Sequence, residues 1–132
     1  MKKFPALLIA ALVATCAFAA AAATADPAEQ VESTVTIKFA EGGGTAPYYE
    51  EDAFKGKVKA KHGCKKDRTV KVFKEGGGLV GKDDTNERGR YEVPAVNPHG
   101  DFFAKAKGKK IEKNNGEEFR CKRAKSDTIT VP

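Results

Sequence analysis

Cys64, Cys121, His62 and His99 have side chains of the types that could hold zinc, form a redox pair or activate a nucleophile. Structural zinc sites bring four such donors together in closely spaced pairs. Here His62 and Cys64 make an H-x-C, while His99 and Cys121 stand alone, so the spacing does not match zinc. Each histidine precedes a glycine, Gly63 or Gly100, which is the setting of a turn residue. No G-x-S-x-G, phosphate-cradling glycine loop or paired metal motif occurs. Asp83, Asp84, Asn86 and Glu87 cluster in one stretch, and Glu50, Glu51 and Asp52 in another. Such oxygens suit calcium, but the spacing is not D-x-[DN]-x-[DN]-G, and Asp and Asn favour turns for their own backbone hydrogen bonds. The expectation is a protein without catalytic residues, metal or cofactor.

Binding is better represented than reaction. Residues 54–61 read FKGKVKAK, with Lys55, Lys57, Lys59 and Lys61 alternating with Phe54, Gly56, Val58 and Ala60. In a strand, that period puts four ammonium groups on one face at about 7 Å intervals. Lys105 and Lys107 repeat the pattern later, and Lys71 would broaden the patch if it lay on a neighbouring strand. A basic sheet face attracts cell-wall polymer, acidic polysaccharide, nucleic acid or anionic lipid by salt-sensitive forces. The competing reading is the wet side of an ordinary strand, where lysine keeps the sheet soluble and discourages edge pairing. A second candidate is the loop EGGGTAPYYEED, whose Tyr48 and Tyr49 could grip carbohydrate or peptide, or cap the end of the fold.

The start of the chain points to export. Lys2 and Lys3 precede an apolar run from Phe4 to Ala23, and Ala23-Thr24-Ala25 ends it with small residues. This is the pattern of a secretory signal peptide cut after Ala25. An uncleaved anchor is disfavoured by the alanine-rich run and the polar residues that follow it. Cys16 follows Val13-Ala14-Thr15, where a lipobox wants Gly, Ala or Ser before the cysteine, so Cys16 is read as leaving with the signal. Lys2 and Lys3 leave too, and the formal charge of +6 falls by two, to +4. That balance is mixed in sign and lacks the concentrated charge of a dedicated nucleic-acid binder. Cys64 and Cys121 then remain as an exported pair, which predicts one disulfide. The long loop it closes implies about 4 kcal/mol of stabilisation.

These features need elements to carry them. Residues 26–33 are polar and read as a loose segment before a domain spanning 34–132. STVTIKFA alternates Val35, Ile37 and Phe39 against Thr34, Thr36 and Lys38, the mark of a half-buried strand. FKGKVKAK is the next strand, and TVKVFKE a third with Val70 and Val72 inward. Gly76–Gly78 breaks it, a short LVG leads to the turn KDDTNERG, and RYEVP places Tyr91 and Val93 on one face. DFFAKAKGK turns Phe102, Ala104 and Ala106 one way and Phe103, Lys105 and Lys107 the other. FRCKRA and DTITV, with Ile129 and Val131 inward, close the chain. No window has helical periodicity after the leader. The prediction is all-β: a small antiparallel β-sandwich of about seven strands, prealbumin- or Ig-like, with one disulfide.

Phe54-Lys55-Gly56-Lys57-Val58, Thr85 to Val93 (T-x-x-x-G-x-Y-x-V) and His99 to Ala106 together resemble the carboxypeptidase-regulatory-like and transthyretin-like domains. The resemblance covers about half of the chain after the leader. It implies a prealbumin-like sandwich of the kind that serves as stalk, spacer or carbohydrate-associated module. The Lys–Asn cross-link of some relatives does not carry over, because TITVP has no asparagine. The sequence thus predicts a monomeric, non-catalytic structural or binding module, secreted or held at a bacterial envelope. No transmembrane segment is expected after the leader. The partner is not specified, with an envelope polyanion or carbohydrate as the alternatives.

Overall fold

The computed structural model describes residues 28–44 and 51–132. The leader, its cleavage point, Cys16 and the tyrosines Tyr48 and Tyr49 lie outside the described residues. Among those residues there are twelve strands and no helix. They are β1 (Glu29–Val31), β2 (Ser33–Val35), β3 (Lys38–Ala40), β4 (Asp52–Ala60), β5 (Thr69–Lys74), β6 (Gly78–Asp84), β7 (Arg90–Ala95), β8 (Gly100–Ala106), β9 (Lys109–Glu112), β10 (Glu118–Cys121), β11 (Ala124–Lys125) and β12 (Ile129–Val131).

The strands form three sheets, which corrects the expectation of a seven-strand, two-sheet sandwich. One sheet runs β11-β8-β5-β6, with β12 also on β8. A second centres on β4, which pairs with β2 and β3 along one side and β7 along the other. The inner faces of these two share one core. Val70, Val72, Phe102 and Ala104 of the first join Phe54, Val58, Tyr91 and Val93 of the second, and the Phe54 and Phe102 rings stand 4.6 Å apart. Alternation does what the sequence predicts here: apolar side chains leave water and contribute stability in proportion to the area removed.

The third sheet, β1-β10-β9, has its own small core of Val31, Cys64, Phe119 and Cys121. No alternation in the sequence marks it as a separate sheet. β1 lies in the stretch expected to be loose, yet it pairs in parallel with β10 and buries Val31. KKIE of β9 pairs antiparallel with β10. The predicted disulfide Cys64–Cys121 is present, with Cα atoms 5.5 Å apart, and it ties this sheet to the turn after β4.

Two further departures have local causes. LVG is not a short connection but part of the seven-residue β6, whose register shifts opposite Val72 and Phe73. The shift skips Val80 and leaves Leu79 opposite Phe73. The expected strand STVTIKFA is split into β2 and β3 at Thr36 and Ile37. Gly56 of β4 lies opposite Tyr91 of β7, and a Cβ on Gly56 would run into the carbonyl oxygen of Thr36. In the space left, the Tyr91 hydroxyl donates to the Thr36 carbonyl at 2.5 Å. The Lys57 N–H, which would otherwise bond that carbonyl, donates to the Thr36 hydroxyl instead. At the start of β7, Gly89 has φ +77°, the left-handed turn that the T-x-x-x-G-x-Y pattern requires.

Candidate polyanion-binding face

The lysines singled out in the sequence divide between two sheets. Lys55, Lys57 and Lys59 lie along β4, and Lys61 falls in the turn beyond it. Lys105 is on β8 and Lys107 just past its end. Because the two sheets turn their inner faces to one core, their outer faces point away from each other. The six do not make one patch.

On the β4 side the charges are mixed. Lys55 reaches the Glu92 carboxylate at 3.2 Å. A cleft of about 750 Å³ there is lined by Lys38, Lys55, Lys57 and Arg90, but also by Asp83, Asp84 and Glu92. At the third sheet Lys110 meets Glu118 at 2.8 Å and Glu112 at 3.4 Å, and just past β10 Lys122 meets Glu32 at 2.6 Å, while Lys109 and Arg120 have no ion pair among the described residues. The hydrogen bonds from Lys110 to Glu118 and then to Glu112 hold its ammonium above its ordinary pKa.

The outer face of the β11-β8-β5-β6 sheet is different. Register places Lys82 of β6 opposite Lys71 of β5, Lys71 opposite Lys105 of β8, and Lys105 opposite Lys125 of β11. Four lysines stand side by side on four consecutive strands, a row of about 14 Å at ordinary strand spacing. None of the four has an ion-pair partner among the described residues. Acids flank the row without an ion pair to it: Asp84, one step along β6, whose Oδ1 accepts a hydrogen bond from the Thr69 hydroxyl, Asp127, two residues past Lys125, and Asp101, beyond Phe103 on β8, whose Oδ1 accepts one from the Thr130 hydroxyl.

One step along the strands in the other direction the face becomes apolar. Phe73 stands opposite Phe103 with ring centroids 5.5 Å apart and planes 18° from parallel. Leu79 lies opposite Phe73 and is 55% exposed. The Lys105 ammonium sits 5.4 Å and 5.6 Å from the two ring centroids, and that of Lys125 lies 4.4 Å from Phe103. A ring face attracts a cation through its quadrupole, so the aromatic pair gathers two of the four ammonium groups. Alternation in the sequence marks Lys105 and Phe103, whereas nothing there marks Lys82, Lys125 or Phe73. Only the pairing register assembles them, because these residues lie far apart along the chain.

The residues weighed for chemistry have other occupations. His62 stacks on Phe119 at 4.5 Å, and His99 Nδ1 lies 2.8 Å from the Pro132 carbonyl oxygen. Cys64 and Cys121 are bonded to each other. The acidic turns cap backbone. Asp83 accepts from the Glu92 N–H, Asn86 from those of Arg88 and Arg90, and Asp52 from that of Gly42. Among the described residues no three His, Cys, Asp or Glu side chains gather as a metal site would require.

One buried charge has no mark in the sequence. Arg68, the last residue before β5, is 0% exposed. Its guanidinium donates to the carbonyls of Lys107 (2.9 Å), Cys64 (2.7 Å) and Lys122 (2.8 Å) and to the Ser33 hydroxyl (2.8 Å). Desolvation lowers its pKa from the ordinary value.

Among the described residues the protein is all-β, with three sheets, one disulfide and a row of four lysines on four neighbouring strands. No family model, curated protein or solved structure matches the chain.

Proposed function

We propose that this protein is a non-catalytic, exported binding module that holds a polyanion on the outer face of its β11-β8-β5-β6 sheet. The observation that carries the reading is the Lys82–Lys71–Lys105–Lys125 row. Like charges directly opposite on neighbouring strands repel and cost stability. Elsewhere Lys55, Lys110 and Lys122 each meet a glutamate, and the opposed cations Lys57 and Arg90 form a single pair rather than a series. Here three like-charged pairs stand in succession, with no ion pair among the described residues. A linear anion laid across the strands relieves that repulsion and releases its own counterions.

Export is supported by the leader pattern and by a disulfide of the kind that persists in oxidising compartments. The likeness of residues 54–58, 85–93 and 99–106 to carboxypeptidase-regulatory-like domains fits an appended or envelope-associated module.

Salt-gradient elution from immobilised heparin tests the proposal. The oxidised protein is compared with Lys71→Gln/Lys105→Gln/Lys125→Gln and with Lys57→Gln/Lys59→Gln/Lys61→Gln, which remove equal charge from opposite faces. The first variant is expected to elute well before wild type and the second close to it. Equal elution of the two variants would show net charge at work and defeat the assignment.

A further inference from the structure

We infer that the polyanion is a single-stranded nucleic acid, with its phosphates along the lysine row and its bases against Phe73, Phe103 and Leu79. The inference rests on the polyanion reading and adds the identity of the chain. Two parallel strips run across this sheet face: a cationic one and, one side-chain step away, about 7 Å along the strands, an apolar one. The occupant that suits both carries anions along one edge and flat, weakly solvated groups along the other. A single nucleic-acid strand has that layout. Polyphosphate and acidic polysaccharides have no flat, unsaturated rings to set against the apolar strip, and in a duplex the base faces are already stacked on one another.

The aromatic pair suits base stacking. Phe73 and Phe103 are already near parallel across two strands, at 5.5 Å and 18°. In the free protein the Lys105 and Lys125 ammonium groups rest over those rings. Both lysines are exposed and their stems are flexible. Stacking a base on an aromatic ring is worth more than an exposed ammonium–ring contact, so an arriving base displaces the lysines from the rings. The displaced ammonium groups then lie beside the flanking phosphates. Every base has a π face, so binding tolerates sequence and depends strongly on salt.

Fluorescence anisotropy with a labelled short oligothymidylate tests this, beside an abasic deoxyribose-phosphate oligomer of the same length and charge. The oxidised wild-type protein is expected to bind oligothymidylate at least about tenfold more tightly than the abasic chain. Phe73→Leu/Phe103→Leu, which keeps the site apolar and leaves the lysines in place, should erase most of that ratio while leaving abasic binding within about twofold. Thermal unfolding of the variant checks that its fold is retained. Equal binding of the two oligomers by wild type overturns the nucleic-acid assignment and leaves the polyanion reading standing. Absence of binding to both at low salt overturns both readings. A ratio that survives in Phe73→Leu/Phe103→Leu removes the stacking platform and so overturns the inference as stated.

Discussion

Arg68 shows how one side chain can hold a junction. Its guanidinium touches the start of β2 through Ser33, the turn after β4 through Cys64, the end of β8 through Lys107 and the end of β10 through Lys122. No carboxylate takes part; three carbonyls and a hydroxyl, all pointed at the fork, replace water. Buried acceptors left unpaired cost about 1–3 kcal/mol each, and here four would be orphaned at once. Arg68→Met is therefore expected to lose at least about 3 kcal/mol in urea denaturation, a large fraction of the stability of a domain this size. A loss below about 1 kcal/mol would mean that water replaces the guanidinium at little cost. Arg68→Lys should recover only part of the deficit, since an ammonium has three donors and no planar fork. Nothing in KKDRTV announces this role. An arginine in a polar turn reads as a surface residue, and only the convergence of four separate segments makes it internal. The disulfide was legible by contrast, because Cys64 and Cys121 are the two cysteines that follow the expected leader and offer one pairing.

At the scale of elements, alternation carried most of the information. Val70 and Val72, Tyr91 and Val93, and Phe102, Ala104 and Ala106 all turn inward as their period of two requires. What alternation does not encode is pairing. The lysine row exists because Lys71, Lys82, Lys105 and Lys125 share a register, and β1 and β9 are too short to show a period. The split between β2 and β3 is likewise a three-strand event, in which Tyr91 crosses over Gly56 to take the Thr36 carbonyl. Burial raises the Tyr91 hydroxyl well above its ordinary pKa. The unfolded chain releases that proton near pH 10 while the native state keeps it, so native stability falls as pH climbs past about 10. The contribution is complete below that point. Tyr91→Phe should accordingly cost about 1 kcal/mol at pH 7, where the Thr36 carbonyl loses its donor, and the gap to wild type should narrow at pH 11. Denaturation curves at the two pH values decide this, and a gap that stays constant or widens would refute the coupling.

Across the whole molecule, two cores are joined at one seam. The larger core lies between the β11-β8-β5-β6 sheet and the sheet around β4; the smaller surrounds Cys64, Cys121 and Phe119. The disulfide and Arg68 fasten the seam side by side, since Arg68 grips the carbonyls of Cys64 and of Lys122, the residue after Cys121. Fastened in this way, the sheet presents its lysines at fixed spacing, so a bound strand does not have to order the protein and a larger share of the contact energy appears as affinity. The measurement that reaches the central claim most directly is the salt dependence of oligothymidylate affinity, taken for wild type and for Lys71→Gln/Lys105→Gln. Four phosphate contacts on a single strand give a slope of about −3 for the logarithm of the association constant against the logarithm of salt concentration, and removing two should bring it to about half. Wild-type and variant slopes that coincide would contradict the assignment of the row as the binding site.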